Sequence, residues 1–242
     1  SISAFEDQEV AVHMMKKYNL NVLPVVDSQN VLLGVVTIDD VIDVYEDEVT
    51  EDIQKGASVI PFEVNYTTTS SFLLFKKRIM WLLFLAVAGF LSGNVISLFK
   101  DSLGRVITLS FFIPTLLGTG GNIGTQSATL IIRALVTGDL TPKKWFNVIK
   151  KELFVGVMLG TAMGIILFLW SYSWKQNLSV SIVLAFSVVL IAIWANLVGS
   201  LLPIIMRKIH LDPAIVSSPL ISTILDVSGL LIYFTVASFL LF

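Results

Sequence analysis

Five long apolar stretches follow Arg78, and they restrict the chain to very few folds. They cover residues 79–99, 106–136, 148–172, 180–206 and 213–242. Each reaches the roughly 20 residues that carry a helix across a bilayer core. In hydrocarbon every backbone N–H and C=O must be satisfied within the protein, so such stretches form helices and not open sheets. Composition agrees: 55% of the 242 residues are hydrophobic and 14% are charged, which excludes an ordinary soluble domain. Most acids lie before Arg78, so a soluble acidic segment precedes the apolar one. With no cysteine, disulfides and thiolate metal sites are excluded. A net charge of −2 provides no basic footprint for nucleic acid. The expected fold class is mainly α: a polytopic membrane protein of about five transmembrane helices (79–242). A small α/β segment with an acidic helix (1–52) and a connecting helix (53–78) come before it.

Residues 5–44 carry mixed α/β signals. Residues 9–18 form an amphipathic helix, with Val10, Val12, Met14 and Met15 as its apolar contributors. Val22-Leu23-Pro24-Val25-Val26 and Val31-Leu32-Leu33-Gly34-Val35-Val36 are β-rich runs, with Asp27-Ser28-Gln29-Asn30 as the turn between them. Thr37 is placed to cap a helix that opens Ile38-Asp39-Asp40. The whole stretch NVLPVVDSQNVLLGVVTIDDVIDV resembles the last β-β-α unit of a CBS domain. CBS domains come as tandem pairs, so the chain reads as part of a longer protein, and no nucleotide site is assigned to the part present. On the helix that follows, Asp40, Asp43, Glu48, Glu51 and Asp52 fall on one side. Such a run is either a solvated face or a weak, partly hydrated Mg²⁺ or Ca²⁺ site. Residues 55–71 form a polar connector, helical for part of its length.

The last apolar stretch contains one carboxylate, Asp226, near its middle. A charge there costs several kcal/mol unless it meets protein, water or a cation, and so marks a functional site. Ser218, Ser222, Asp226, Gly229 and Tyr233 recur at helical spacing on one small or polar face, read here as the wall of an ion path. The bland alternative is an Asp that hydrogen-bonds a neighbouring helix. The second stretch reads FFIPTLLGTGGNIGTQSA, and Pro114, Gly118, Gly121, Thr125 and Ala128 again share one face. Glycines at this density weaken a helix and bare its carbonyls, which a membrane tolerates only against protein or a wet cavity. Elsewhere the small residues read as packing ridges: Gly156, Gly160 and Gly164, then Ala86, Gly89, Gly93 and Ser97. Asn196, Gly199 and Pro203 are either packing and kink residues, the favoured reading, or a second polar contributor. One deep carboxylate, hydroxyls and carbonyls are hard oxygen ligands, suited to Mg²⁺ or Ca²⁺ and not to Zn²⁺, Cu or Ni²⁺. A single Asp per chain underneutralises a dication, and two copies on a dimer axis supply the missing charge.

FFIPTLLGTGGNIGTQSATLIIRAL and DPAIVSSPLISTILDVSGLLIY resemble the paired signatures of MgtE-type magnesium transporters, related to the solute-carrier magnesium transporters of animals. The resemblance implies a homodimeric Mg²⁺ channel in the plasma membrane, its pore at the dimer interface and lined by the second and fifth spans. It implies Asp226 as the central ion-binding acid, beside the Ser222 backbone, Gly118 and Gly121. Thr125 and Ser218 stand where the better-known pattern has Asn, as outer hydration contacts. Asp40, Asp43, Glu48, Glu51 and Asp52 resemble the family's cytosolic Mg²⁺-sensing acids, and the connecting helix its plug. Mg²⁺ is then both cargo and regulator.

Basic residues set the expected orientation. Lys76, Lys77 and Arg78 precede the first span, Lys143, Lys144, Lys150 and Lys151 lie between the second and third, and Arg207 and Lys208 between the fourth and fifth. The opposite loops hold only Lys100, Arg105 and Lys175. This places the N-terminus in the cytosol and the C-terminus outside, as does the lack of a signal peptide ahead of the soluble part. Two alternatives remain open at this point: a coupled carrier such as a Na⁺/Mg²⁺ exchanger, and an intramembrane aspartyl protease. The protease needs two carboxylates within reach of each other, and Asp101, Asp139 and Asp212 lie at span ends.

Overall fold

A computed structural model describes residues 1–62, 66–140 and 145–241. Lys143, Lys144 and part of the expected connector lie outside the described residues. The chain divides into two compact units: Ser1–Lys55 with Ile60–Ser70, and Gly56–Val59 with Ser71–Phe242.

The first unit runs β1 (Ile2–Ser3), α1 (Gln8–Tyr18), β2 (Val22–Val26), β3 (Leu32–Thr37) and α2 (Ile38–Gly56). Its sheet has the order β1-β2-β3, with β1 parallel to β2 and β2 antiparallel to β3. The hairpin is fixed by its turn: Asp27 Oδ1 accepts the Gln29 and Val31 N–H groups, and Asn30 takes the left-handed conformation. Asp7 caps α1 by accepting the Glu9 N–H, and left-handed Asn19 closes it. Ile2, Ala11, Met15, Leu23 and Val41 form the core. At the start of α2 the Thr37 N–H and hydroxyl both donate to Asp40 Oδ2, at 3.3 and 2.6 Å. The first of these is the reciprocal half of a capping box.

The connecting helix expected over 53–78 is not one element. Among the described residues α2 ends at Gly56, 57–62 and 66–70 are non-helical, and a new helix starts at Ser71. Gly56 and Pro61 explain the break, since glycine destabilises a helix interior and proline disfavours helix in the residue before it.

The second unit contains α3 (Ser71–Leu98), α4 (Lys100–Arg105), a 3-10 segment (Ile107–Phe112), α5 (Ile113–Val136), α6 (Trp145–Lys175) and α7 (Leu178–Lys208). A 3-10 turn (Pro213–Ile215) and α8 (Ser218–Leu241) complete it. Among the described residues four helices, α3, α6, α7 and α8, are long and apolar enough to cross a membrane. The fifth expected span, α5, has the length, but its glycines and amides make it less apolar. Two expected spans also start late. Pro114 sits in the first turn of α5, where its missing N–H costs nothing, and the preceding residues form a separate 3-10 segment. Pro213 likewise opens its own turn, capped by Asp212 Oδ1 accepting the Ala214 N–H at 2.8 Å. In the other direction, Lys76, Lys77 and Arg78 lie inside α3 and not ahead of it, where long basic side chains reach the interface.

Helix α7 is the axis of this unit, burying Leu184, Val188, Ile191 and Ala195 among others. The Gly156, Gly160 and Gly164 ridge of α6 packs on it: a Cβ at Gly160 would lie 2.8 Å from Val189 Cα. Asn196, Gly199 and Pro203 are all buried, as packing residues are. The small face of α3 behaves otherwise. A Cβ at Gly89 or Gly93 meets nothing within 4 Å, so this face packs against no helix described here.

Candidate functional site

Helices α5 and α8 cross antiparallel. Gly229 packs against Leu117, Gly121 lies against Ser222, and Gly124 against Leu225 and Ile221. A Cβ at Gly121 would be 3.1 Å from Ser222 Oγ, a close approach that glycine makes without displacing the hydroxyl. Asp226 lies on the same stripe of α8, about 12 Å along the axis from Ser218. It is half-buried, and its carboxylate makes no hydrogen bond or ion pair among the described residues. Ser218, Ser222 and Thr125 are also half-buried, and Gly118 is exposed, with open space where a Cβ would stand. Thr119, Thr223 and Ser228 commit their hydroxyls to carbonyls one turn back. Ser222 and Thr125 make no such bond, which leaves their oxygens available as ligands.

The expected polar face of α8 therefore divides. Ser218, Ser222 and Asp226 stay partly open, whereas Gly229 and Tyr233 are buried. Tyr233 donates its hydroxyl to the Leu109 carbonyl at 2.9 Å and belongs to the core, not to a path wall. The α5 glycines divide as well. A Cβ at Gly120 would approach Ile191 Cγ2 at 2.8 Å, and one at Gly124 would overlap Leu225, so both are packing glycines. Asn122 and Gln126 are exposed on α5.

One charged group within a span was missed by sequence reasoning. Glu152, on α6, accepts the Ser127 hydroxyl of α5 at 2.9 Å, and its backbone carbonyl accepts the Asn196 amide of α7 at 3.1 Å. It follows Lys150-Lys151 and so reads as the polar edge of a span. Another signal was available in Ser127, a hydroxyl on the inward face of α5.

The acids of α2 have different surroundings within the chain. Asp40 is engaged with Thr37, Gln8 donates to Glu48 at 2.7 Å, Glu51 pairs with Lys55 at 2.6 Å, and Asp43 is exposed. Glu9 of α1, not singled out from sequence, is the acid most perturbed by this cluster. Burial, and then the charges of Glu48, Asp7 and Asp52, push its pKa from 4.5 up to about 7. Among the described residues no three Asp, Glu or His side chains converge to hold a metal ion. At the segment following α2, the buried Ser58 and Ser217 hydroxyls hydrogen-bond, linking Gly56–Val59 to the residue before α8.

A carboxylate with hydroxyl and backbone oxygens on the same pair of helices offers the hard oxygen donors that suit a hydrated dication. Comparison with known proteins points the same way. Residues 113–236 match the MgtE family model, described as a divalent cation transporter, and residues 1–47 match the CBS domain model. The chain is 45% identical over 235 residues to "Magnesium transporter MgtE" of Thermus thermophilus, covering 97% of this chain and 52% of that protein. It is 36% identical over 241 residues to the protein of the same name from Bacillus subtilis, and 33% identical over 238 residues to that from Enterococcus faecalis, in each case over 98% of this chain and 52% of the relative. The chain thus spans about half the length of these relatives. The family model matches half the chain, from the glycine-rich helix α5 through Asp226 in α8, and on that ground the chain belongs to the MgtE family of divalent cation transporters.

Proposed function

We propose that the helical unit conducts Mg²⁺ across the plasma membrane along a path at the interface of a homodimer, lined by α5 and α8. The observation that carries this reading is Asp226, a carboxylate half-open on an apolar helix with no partner among the described residues. Two such carboxylates across a dimer axis supply the charge a dication needs, and Mg²⁺ keeps several waters when only one or two carboxylates hold it. Ser222, Gly118 and Gly121 lie beside Asp226 along the path, with Ser218 and Thr125 as further hydration contacts. The exposed Gly118, Asn122 and Gln126 and the uncovered small face of α3 support a second protomer as the missing wall. The positive-inside pattern supports a cytosolic N-terminus and an external C-terminus. The names of the relatives support Mg²⁺ as the cargo.

In the same reading Asp40, Asp43, Glu48, Glu51 and Asp52 sense cytosolic Mg²⁺. Like charges within a Debye length of roughly 8 Å repel, and a bound dication relieves that repulsion. High cytosolic Mg²⁺ then favours a closed path by its differential affinity for the two states. The Ser58–Ser217 bond ties residues 56–59 to the residue before α8 within the helical unit. The test is voltage-driven Mg²⁺ flux into liposomes, with and without a Na⁺ gradient, at stepped Mg²⁺ on the face bearing α2. Flux independent of Na⁺ is expected, inhibited by Mg²⁺ on that face, with inhibition lost when Glu48, Glu51 and Asp52 are neutralised together. Flux that requires Na⁺ favours the exchanger, and identical inhibition curves return the acids to a solvated face.

A further inference from the structure

Glu152 takes no part in the path described above, yet it is a charged side chain within an apolar helix, which is costly unless partnered. Its partners come from two other helices. Ser127 of α5, 3% exposed, donates its hydroxyl to Glu152 Oε2 at 2.9 Å. The same hydroxyl is 3.3 Å from the Asn196 carbonyl of α7. Asn196, 2% exposed, returns an amide bond to the Glu152 carbonyl at 3.1 Å. One turn before Ser127, a Cβ at Gly199 would overlap the Gly124 carbonyl, so α5 and α7 are in backbone contact there. Beside that close contact the Ser127–Glu152 bond adds a directional link between α5 and α6.

Nine residues separate Ser127 from Gly118, about two and a half turns, so the two lie on opposite sides of α5. Thr125 is about 200° from Ser127. A bond that holds Ser127 toward α6 and α7 therefore turns Gly118 and Thr125 away from them, and brings Gly121 onto Ser222. We propose that Glu152 is a positioning residue: its carboxylate, acting through Ser127, fixes the rotation of α5 and so the face that α5 presents to α8, while the Asn196 bond to the backbone carbonyl of residue 152 holds α6 to α7. The role requires a hydrogen-bond acceptor at Oε and does not require the charge. Glutamine preserves it, because whichever way its amide is turned, a bond to the Ser127 hydroxyl remains.

The consequence for conduction rests on the path proposed above, so the primary test does not use flux. The chain has no cysteine, and a Cβ at Gly121 would lie 3.5 Å from Ser222 Cβ, within the range a disulfide spans. The Gly121→Cys/Ser222→Cys pair is oxidised in membranes, and its closure is followed by loss of maleimide labelling. Rapid closure is expected in the otherwise unaltered chain and in Glu152→Gln, with a rate about tenfold lower in Glu152→Ala and in Ser127→Ala. The double variant Ser127→Ala/Glu152→Ala is expected to be no slower than either single, because both break one link. Closure unaffected by Glu152→Ala, or equally slow in Glu152→Gln, overturns the proposal. In the chain without introduced cysteines, Mg²⁺ flux should follow the same ranking. Disulfide rates that move while no variant, including the unaltered chain, carries Mg²⁺ contradict the path reading and leave the positioning role standing.

Discussion

Asp226 and Glu152 are both carboxylates inside apolar helices, and their surroundings separate them. Glu152 receives a hydroxyl from a neighbouring helix, as a carboxylate used for packing should. Asp226 receives no hydrogen bond among the described residues. Asp226 was legible in the sequence because no other charge lies near it in a long apolar run. Glu152 was not, because Lys150 and Lys151 immediately before it make a span end look merely polar. Tyr233 was misassigned for a related reason. Helical spacing identifies residues that share a face, but not which part of that face a neighbouring element covers. Glu9 permits a prediction at this scale. Its folded pKa of about 7 exceeds the ordinary 4.5, so folding favours its protonated form. Its contribution to the stability of the first unit is fully present below pH 4.5 and is lost as pH rises through about 7. Amide exchange in α1, corrected for intrinsic rates, should show less protection at pH 8 than at pH 5.5. Glu9→Gln should abolish the difference, and an unchanged pH dependence in that variant would disprove the assignment.

Among elements, the hairpin and its flanking helices were read from sequence almost residue for residue, because turn chemistry and capping act locally. Breaks caused by proline shifted the starts of α5 and α8, and the connector broke at Gly56 and Pro61. The glycines of α5 show what remains hidden. Gly118, Gly120, Gly121 and Gly124 look alike in sequence, but only Gly118 faces open space. The distinction depends on which helix lies opposite, and that is a tertiary fact. It yields a paired prediction. Gly199→Ala forces a methyl into the Gly124 carbonyl and should destabilise the helical unit by about 1–3 kcal/mol, seen as a lower midpoint of thermal unfolding in detergent. Gly118→Ala meets no atom within 4 Å and gains about 0.5–1 kcal/mol of helix propensity, so its midpoint should hold or rise. Any loss of Mg²⁺ flux in Gly118→Ala is then a loss of path and not of fold. Equal destabilisation by the two substitutions would contradict the packing described. Gly160→Ala is unsuitable as a neutral control, since its methyl would press on Val189.

For the molecule as a whole, a CBS-type α/β unit followed by a helical membrane unit was legible because apolar length, acid distribution and two long motifs all agreed. The proposed homodimer accounts for several features of the single chain. Among the described residues the Asp226 carboxylate has no hydrogen-bond or ion-pair partner, and α3 is almost wholly uncovered. The central claim is that cation passage depends on the charge of Asp226. Asp226→Asn preserves the side chain's shape and removes only that charge, so voltage-driven Mg²⁺ uptake into liposomes, at matched insertion and oligomeric state, is the most direct measurement. Uptake in Asp226→Asn should fall to the level of protein-free liposomes, whereas uptake equal to that of the unaltered protein would contradict the account.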